Sequence, residues 1–310
     1  MATFARPAFS AKTYAAFRPA YPPSLFRTVL QYHQANGSAS TSSSNKQQQL
    51  LLDLGCGHGL IARALKPHFQ SVLAIDPSAG MIAQAQQTTT DPSIEFRQGS
   101  AEDLGFLSDA SVDLAVAGQA AHWFDYSKVW PNLARVVRTG GTIAFWGYKD
   151  NVMMGAEQAT AIMEDLVYGF GEAAPGIQKM GPYWEQPGRN ILRDLLRSVQ
   201  PPAQDWRDVA KHEHEPGEDG PEEDVWLRKK MKLGEVEGYL RTFSCYSSWR
   251  EAHPQVKSRA DGGDGDGDIL DVMWDRMIDS VPEWKAAGDR WREVEVVNDW
   301  GTYILLARRK

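Results

Sequence analysis

An α/β fold built on a Rossmann-like, seven-stranded, mostly parallel sheet is predicted by three features of this 310-residue sequence. Short, almost continuously apolar runs such as "LLLDL" at 50–54, "SVLAID" at 71–76 and "VDLAVAG" at 112–118 alternate with segments of helical periodicity. Strands buried on both faces require such unbroken runs, which points to a parallel sheet covered by helices on each side. The first run carries Asp53 and is followed at once by Gly55, Gly57 and Gly59, where an open parallel sheet places its ligand. Residues 294–310, "VEVVNDWGTYILLARRK", read as two strands around the turn "NDWG", which adds an antiparallel terminal hairpin.

Each element follows from local signals. Ser24 caps a helix over 24–33 with Leu25, Phe26, Val29 and Leu30 on one face. The polar, low-complexity stretch at 36–49 is expected to be a flexible insertion. After the strand at 50–54, the helix "LIARALK" is ended by Pro67. Then come a strand at 71–76, a helix at 78–87, and strands at 94–98 and 112–118. A helix follows within 127–138, with Pro131 expected to mark its first turn, and "GGTIAFWG" at 140–147 is a further strand. From Lys149 to about Arg290 the alternation is lost and helical patterns mix with two acidic loops, at 212–224 and 261–268. The expected organisation is a core at 1–149, an inserted, mostly helical substrate cap at 150–290, and a terminal β-hairpin at 291–310 that completes the core sheet.

Composition narrows the function. The net charge of −7 and the lack of a dense basic stripe argue against nucleic-acid binding. No run of 18 apolar residues is present, so no transmembrane helix is expected. The first residues lack the apolar core of a secretory signal. Cys56 and Cys245, far apart, make no disulfide framework, and a reducing, cytoplasmic setting is expected. The "DGDGD" run from Asp264 fails as a calcium loop, having Ile269 where Gly is needed and Asp275 where Glu is needed. His212 and His214 have no further ligand in the pattern, so no metal site is expected. A monomer or homodimer acting on a small molecule fits these limits.

The glycines carry the functional signal. Gly55, Gly57 and Gly59 free the backbone to turn sharply and approach a ligand closely. A dinucleotide site uses G-x-G-x-x-G, whereas the third glycine here comes one residue early. Asp53 would also repel a pyrophosphate but suits a ligand with a cationic amine and sulfonium, S-adenosylmethionine. Asp76, closing the second strand, stands where a carboxylate binds ribose hydroxyls. A nicotinamide oxidoreductase is the fold-level alternative, and a cofactor-binding protein without catalysis is a third.

"LLDLGCGHG", "AIDPSAGMI", "GSAEDL", "VDLAVAGQAAHWFD" and "VVRTGGTIAFWGY" resemble the successive motifs of class I S-adenosylmethionine-dependent methyltransferases. "YAAFRPAYP", "AHWFD", "GPYWEQPGR" and "YLRTFSCYSSW" resemble, more narrowly, the trans-aconitate and 3-isopropylmalate methyltransferases. The resemblance implies that Gly55, Cys56 and Gly57 line the methionine end with Asp53 beneath, and that Asp76 binds the ribose. It sets Pro77 or Met81 against the adenine, with Ser100, Ala101 and Glu102 at its edge. Many relatives have Asp where this chain has Ser100. Gln119 and His122, after the fourth strand, would face the methyl group, and Tyr14 is counted with the cofactor contacts.

Methyl transfer to a carboxylate needs no base, because the acceptor is already ionised at neutral pH. It needs bidentate partners for the remaining carboxylates, for which Arg is best suited. Arg18, Arg189 and Arg241 are the candidates, with Tyr183 and Trp184 as walls and hydroxyl donors. The expected product is a methyl ester of a small di- or tricarboxylic acid. The alternative is a hydroxyl, thiol or carbon acceptor, for which His122 would serve as base.

Overall fold

The computed structural model describes residues 18–35, 49–221 and 224–310, which divide into two compact units. A sheet unit holds the described residues of Ala20–Lys149, Pro187–Leu227 and Gly301–Lys310. A second unit holds Arg18, Pro19, Asp150–Gln186 and Arg228–Trp300. Tyr14 and residues 36–48 of the expected insertion lie outside the described residues.

In the sheet unit, α1 (Pro23–Ala35) precedes β1 (Leu50–Leu54), α2 (Leu60–Leu65), β2 (Ser71–Asp76) and α3 (Ala79–Gln87). β3 (Ile94–Gln98), β4 (Val112–Gly118), α4 (Tyr126–Val136) and the long strand β5 (Val137–Met154) follow. β1 pairs in parallel with β2 on one side and with β4 on the other, while β2 pairs with β3 and β4 with β5 in the same sense. With β8 (Trp206–His214) and β10 (Glu295–Arg309), the strand order is β3-β2-β1-β4-β5-β10-β8. The chain therefore winds outward from β1 to β3 and returns to β4, and the loops after β1 and β4 flank the switch point. Leu52, Leu54, Ile75, Ala115, Phe145 and Leu305 share the core beneath it. The fold class read from the sequence stands: a mixed α/β sheet of mostly parallel strands with an antiparallel edge, β8 on β10.

Several elements differ from expectation. β10 is one uninterrupted 15-residue strand rather than a hairpin. Asn298, Asp299 and Trp300, expected to turn, are each 0 % exposed. Asn298 accepts from the Asn151 amide at 2.8 Å, Asp299 from Arg228 at 2.9 Å, and the Trp300 indole donates to the Tyr239 hydroxyl at 3.1 Å. Turn-prone residues remain in the strand because neighbouring elements engage their side chains, although Asn298 Nδ2 finds no partner among the described residues. The antiparallel partners come from the chain interior, β8 and, against residues 295–299, β9 (Arg228–Lys232). The expected cap at 150–290 is also redrawn, since Pro187–Leu227, with α6 (Gly188–Arg193) and β8, belongs to the sheet unit. β8 is hard to read because "WRDVAKHEH" is an edge strand that buries only Trp206 and His214. Pro131 lies inside α4, not at its start. Asp125 caps that helix, accepting from the Ser127 N–H at 3.1 Å, and Val129, Trp130 and Leu133 bury one face, so packing carries the helix through the proline.

In the second unit, β6 (Glu172–Ala174) and β7 (Ile177–Gln178) form a small antiparallel pair. They accompany α5 (Glu157–Tyr168), α7 (Leu233–Leu240), α8 (Ser244–Ala252), α9 (Ile269–Ser280) and α10 (Pro282–Ala286). Asp268, the last residue of the "DGDGD" run, caps α9 by accepting from the N–H groups of Leu270 and Asp271 at 2.9 and 3.1 Å. Among the described residues no group of His, Cys, Asp or Glu is arranged to hold a metal, and no helix is long and apolar enough to cross a membrane.

In the sheet unit, Arg308 of β10 is 1 % exposed and donates to the carbonyls of Tyr32, Gly140 and His33 at 2.6, 3.1 and 3.4 Å. It rivets the end of α1 to the sheet. Arg308→Met keeps the apolar stem but strips three partly buried acceptors of their donor, and is expected to lower unfolding free energy by about 2–3 kcal/mol. Urea denaturation followed by circular dichroism measures it.

Candidate active site

The turn after β1 is built around its glycines. The N–H groups of Gly55 and Cys56 both donate to the Ile75 carbonyl, at 2.8 and 3.0 Å, which bends the chain across the end of β2. Gly55, Gly57 and Gly59 have φ of +69°, +54° and +85°. A Cβ on Gly55 would stand 2.5 Å from Ala120 Cβ, and one on Gly59 2.6 Å from the Phe96 ring. A Cβ on Gly57 would meet nothing within 4 Å. The outer glycines thus permit close packing, and the middle one leaves open space over a backbone that a ligand can approach.

Asp53 lies at 0 % exposure near the end of β1, and among the described residues neither carboxylate oxygen accepts a hydrogen bond of good geometry, the Ala62 N–H being the amide that leans on it. Burial raises its pKa to about 7; the Ala62 amide pulls the other way, and the Asp76 charge adds to the rise. Asp76 ends β2, and its oxygens accept from the N–H groups of Gly57 and Ser78 at 2.9 and 2.8 Å. Burial raises its pKa as well, against those two amides. A buried carboxylate without a well-formed hydrogen bond among the described residues, a second carboxylate tied to the loop and an open glycine fit S-adenosylmethionine, which brings an ammonium, a sulfonium and ribose hydroxyls. Cys56 is buried, its thiol pKa pushed well above the ordinary value by burial, so it lines the loop without nucleophilic character.

The remaining sequence candidates on this side fall into place unevenly. Met81 is 4 % exposed in the first turn of α3, whose cap Ser78 accepts from its N–H at 3.4 Å, while Pro77 is exposed. Ser78 was missed as a site element, although a Ser directly before an apolar periodic run is a cap signal. Ser100 is half-buried and Ala101 buried. Glu102 accepts from the Asp125 N–H at 2.9 Å and so braces the start of α4.

After β4, Gly118 has no room for a side chain, since a Cβ would stand 2.3 Å from Ile61. Gln119 follows with φ +55°, its amide bonded to the Tyr148 backbone rather than offered to a ligand. His122 lies in the 3-10 turn Ala121–Trp123, 5 % exposed, with its ring 4.7 Å from that of Trp123. Gly188 lets α6 lie on this turn: a Cβ there would be 2.5 Å from the Trp123 ring and 3.0 Å from the His122 carbonyl. Arg189, 8 % exposed, is the next residue, so "AHWFD" and "QPGR" come together in space.

The other acceptor candidates lie in the second unit. Arg18 donates to the Thr242 carbonyl at 3.1 Å and stands over the rings of Tyr239 and Phe243 at 5.3 and 5.6 Å. The Trp184 indole donates to the Val167 carbonyl at 2.9 Å, and its ring stacks on Tyr168. The Tyr183 hydroxyl donates to Gln178 Oε1 at 2.9 Å. Arg241 is committed elsewhere: it pairs with Glu237 at 2.9 Å and with Asp268 and Asp271 at 3.5 Å each, and donates to the Tyr246 hydroxyl at 2.9 Å. Three carboxylates already surround its guanidinium, which removes it from the set expected to hold an acidic acceptor.

Residues 52–145 match the family described as "Methyltransferase domain". The probable S-adenosylmethionine-dependent methyltransferase CRG1 of Saccharomyces cerevisiae is 25 % identical over 317 residues, 97 % of this chain and 96 % of that protein. A putative methyltransferase of Dictyostelium discoideum is 24 % identical over 84 % of this chain and 88 % of its own length. Methyltransferase gedG of Aspergillus terreus is 30 % identical over 138 residues, 44 % of this chain and 41 % of that protein. A putative type II methyltransferase from Anaeromyxobacter dehalogenans shares the fold, with a TM-score of 0.62, 24 % identity, and coverage of 94 % of this chain and 98 % of that one.

Asp53 makes a prediction with a definite sign. A cationic ligand favours its carboxylate, whereas without one Asp53 takes up a proton as pH falls through about 7. Affinity for S-adenosylmethionine is therefore expected to weaken on acidification below that point, by up to about tenfold per pH unit, with proton release on binding. Asp53→Asn is expected to bind about 10–100-fold more weakly and with no pH slope. Calorimetry in buffers of different ionisation enthalpy reads both.

Proposed function

We propose that this S-adenosylmethionine-dependent methyltransferase of the class I fold forms a methyl ester on a small di- or tricarboxylic acid, of the trans-aconitate type. The observation that carries the reading is Arg189, a guanidinium buried at 8 % exposure one residue from the glycine that seats α6 against Trp123 and the His122 carbonyl. A buried cation next to the helix start that packs on the segment after β4 suits an anionic acceptor. S-adenosylmethionine supplies an electrophilic methyl group on sulfur. The chain's own contribution is positional. Arg189 holds a carboxylate of the acceptor, Trp123 and the buried 3-10 turn keep water out, and no base is required for an oxygen already ionised.

A second reading rests on His122, equally buried and in ring contact with Trp123. A hydroxyl or thiol acceptor must lose a proton, and an imidazole in this turn is the group placed to take it.

Transfer of labelled methyl to trans-aconitate, cis-aconitate, isopropylmalate, citrate and a set of phenols and thiols separates the two. A base-labile methyl ester on one of the acids is the expected outcome, with Arg189→Met raising KM for that acid by about tenfold or more. Arg241→Met should leave KM unchanged while lowering thermal stability. Label only on a phenol or thiol, lost in His122→Ala, would overturn the carboxylate reading.

A further inference from the structure

Gln119 sits at the end of β4 with φ +55°, a backbone region that an unbranched side chain enters at a cost. Its own N–H donates to the Trp146 carbonyl at 2.8 Å. Its side-chain Nε2 donates to the Tyr148 carbonyl at 2.8 Å, and its Oε1 accepts from the Tyr148 N–H at 2.8 Å. A primary amide presents one donor and one acceptor in a plane, the same pair that a peptide unit offers to a neighbouring strand. The last main-chain partners of the β4–β5 pair are Gly118 and Trp146. Beyond them the Gln119 side chain continues the ladder to Tyr148 in place of a peptide, and the main chain is free to leave the sheet.

The departing segment is the one that matters for chemistry. Ala120 fills the place of a Gly55 side chain in the glycine loop, with Cβ 2.5 Å from where one would begin. His122 and Trp123 follow in the 3-10 turn, and Trp123 lies against Gly188. The brace is also sterically exclusive, because a Cβ on Gly147 would stand 2.6 Å from both Gln119 Oε1 and the hydroxyl oxygen of the buried Tyr303. Gly147 and Tyr303 thus shape a slot that the Gln119 carboxamide occupies.

We infer that Gln119 is a positioning residue for methyl transfer: its carboxamide replaces a β4 peptide on Tyr148 and thereby sets Ala120 against the glycine loop and fixes the turn of His122 and Trp123 that follows, without itself contacting cofactor or acceptor. The inference rests on the methyl-transfer reading and adds to it a residue that acts through the turn it releases. The sequence expectation had placed Gln119 among the cofactor contacts, and with both ends of its amide engaged by Tyr148 the side chain has a different task.

Two variants test this. Gln119→Met keeps length and removes both hydrogen bonds. Gln119→Glu keeps shape and the acceptor, but turns an oxygen toward the Tyr148 carbonyl and regains a donor only when protonated. S-adenosylhomocysteine binding is measured by calorimetry, and the Trp123 indole N–H signal, assigned with Trp123→Phe, is followed by NMR. Methyl transfer is measured with whichever acid or phenol of the panel reacts. The expected result is S-adenosylhomocysteine affinity within about threefold of the unaltered protein, a shifted Trp123 signal in both variants, and kcat lowered about tenfold or more with little change in KM for S-adenosylmethionine. In Gln119→Glu the Trp123 signal should return toward its original position as pH is lowered from about 8 to about 5.5, a reversal that Gln119→Met cannot show. An affinity loss as large as the kcat loss, with the Trp123 signal unmoved, would make Gln119 a cofactor contact and overturn the inference. Failure of both variants to fold would reduce it to a stability element, with the same consequence. If no acceptor on the panel reacts, the acceptor reading fails, and the binding and NMR results still decide the role of Gln119.

Discussion

The contact between Gly55 and Ala120 sets the terms for the rest of the site. Ala120 Cβ lies 2.5 Å from the point where a side chain on Gly55 would begin, so the loops after β1 and β4 meet as closely as two chains can. The strand order makes that meeting possible, because β1 and β4 are adjacent while the chain has travelled through β2 and β3 between them. With the first loop pinned there, Gly57 is left facing open space, and Asp76, reaching over from β2, ties the Gly57 N–H down at 2.9 Å. The fourth-strand loop, held at the same contact, has to turn within two residues, which is why a strained Gln119 precedes Ala120. Backbone strain of this kind persists where the surroundings over-determine it, and here the ladder to Tyr148 does so.

How much of this was legible in the sequence depended on whether burial or partnership decided the outcome. β1, β2 and β4 were readable residue for residue, because strands buried on both faces are apolar almost throughout. The glycine spacing and the two carboxylates were readable too, since positive φ and close approach demand glycine and an Asp at a strand end is out of place in a core. β8 was not readable, because an edge strand needs no apolar face and "DVAKHE" looks like a loop. "NDWG" misled for the opposite reason. Its residues favour turns in isolation, and only the presence of Asn151, Arg228 and Tyr239 at the right distance makes them a strand. Pro131 misled in the same way, as the buried face of α4 outweighed the local preference of one residue.

The arginines show the same limit at the level of function. Arg18, Arg189 and Arg241 are alike in sequence, each within a motif that resembles one subfamily and each close to aromatic residues. In the folded chain Arg241 is enclosed by Glu237, Asp268 and Asp271, and Asp268 serves as the α9 cap as well. Spacing could not reveal this, because Asp268 ends an acidic run that reads as a solvated loop and Asp271 lies just beyond it in α9, both nearly 30 residues along. The guanidinium there balances charges that the fold itself has buried, and removing one partner of such a cluster strands the others.

Asp53 stands in contrast to these compensated charges. Burying a carboxylate is costly unless something compensates, and folded chains ordinarily supply the compensation at once, as around Arg241 or where Arg138 meets Asp113 at 2.6 Å. At Asp53, among the described residues, both oxygens lack a hydrogen bond of good geometry at 0 % exposure, and burial raises the pKa to about 7 against the nearby Ala62 amide. An uncompensated charge beside an open glycine is a cost that a bound cation relieves, so the free energy withheld in folding becomes available to binding. The same reasoning explains why the neighbouring Asp76 is not interchangeable with it. Two amides already satisfy Asp76, which holds the loop in shape, whereas Asp53 has no such pair of donors among the described residues.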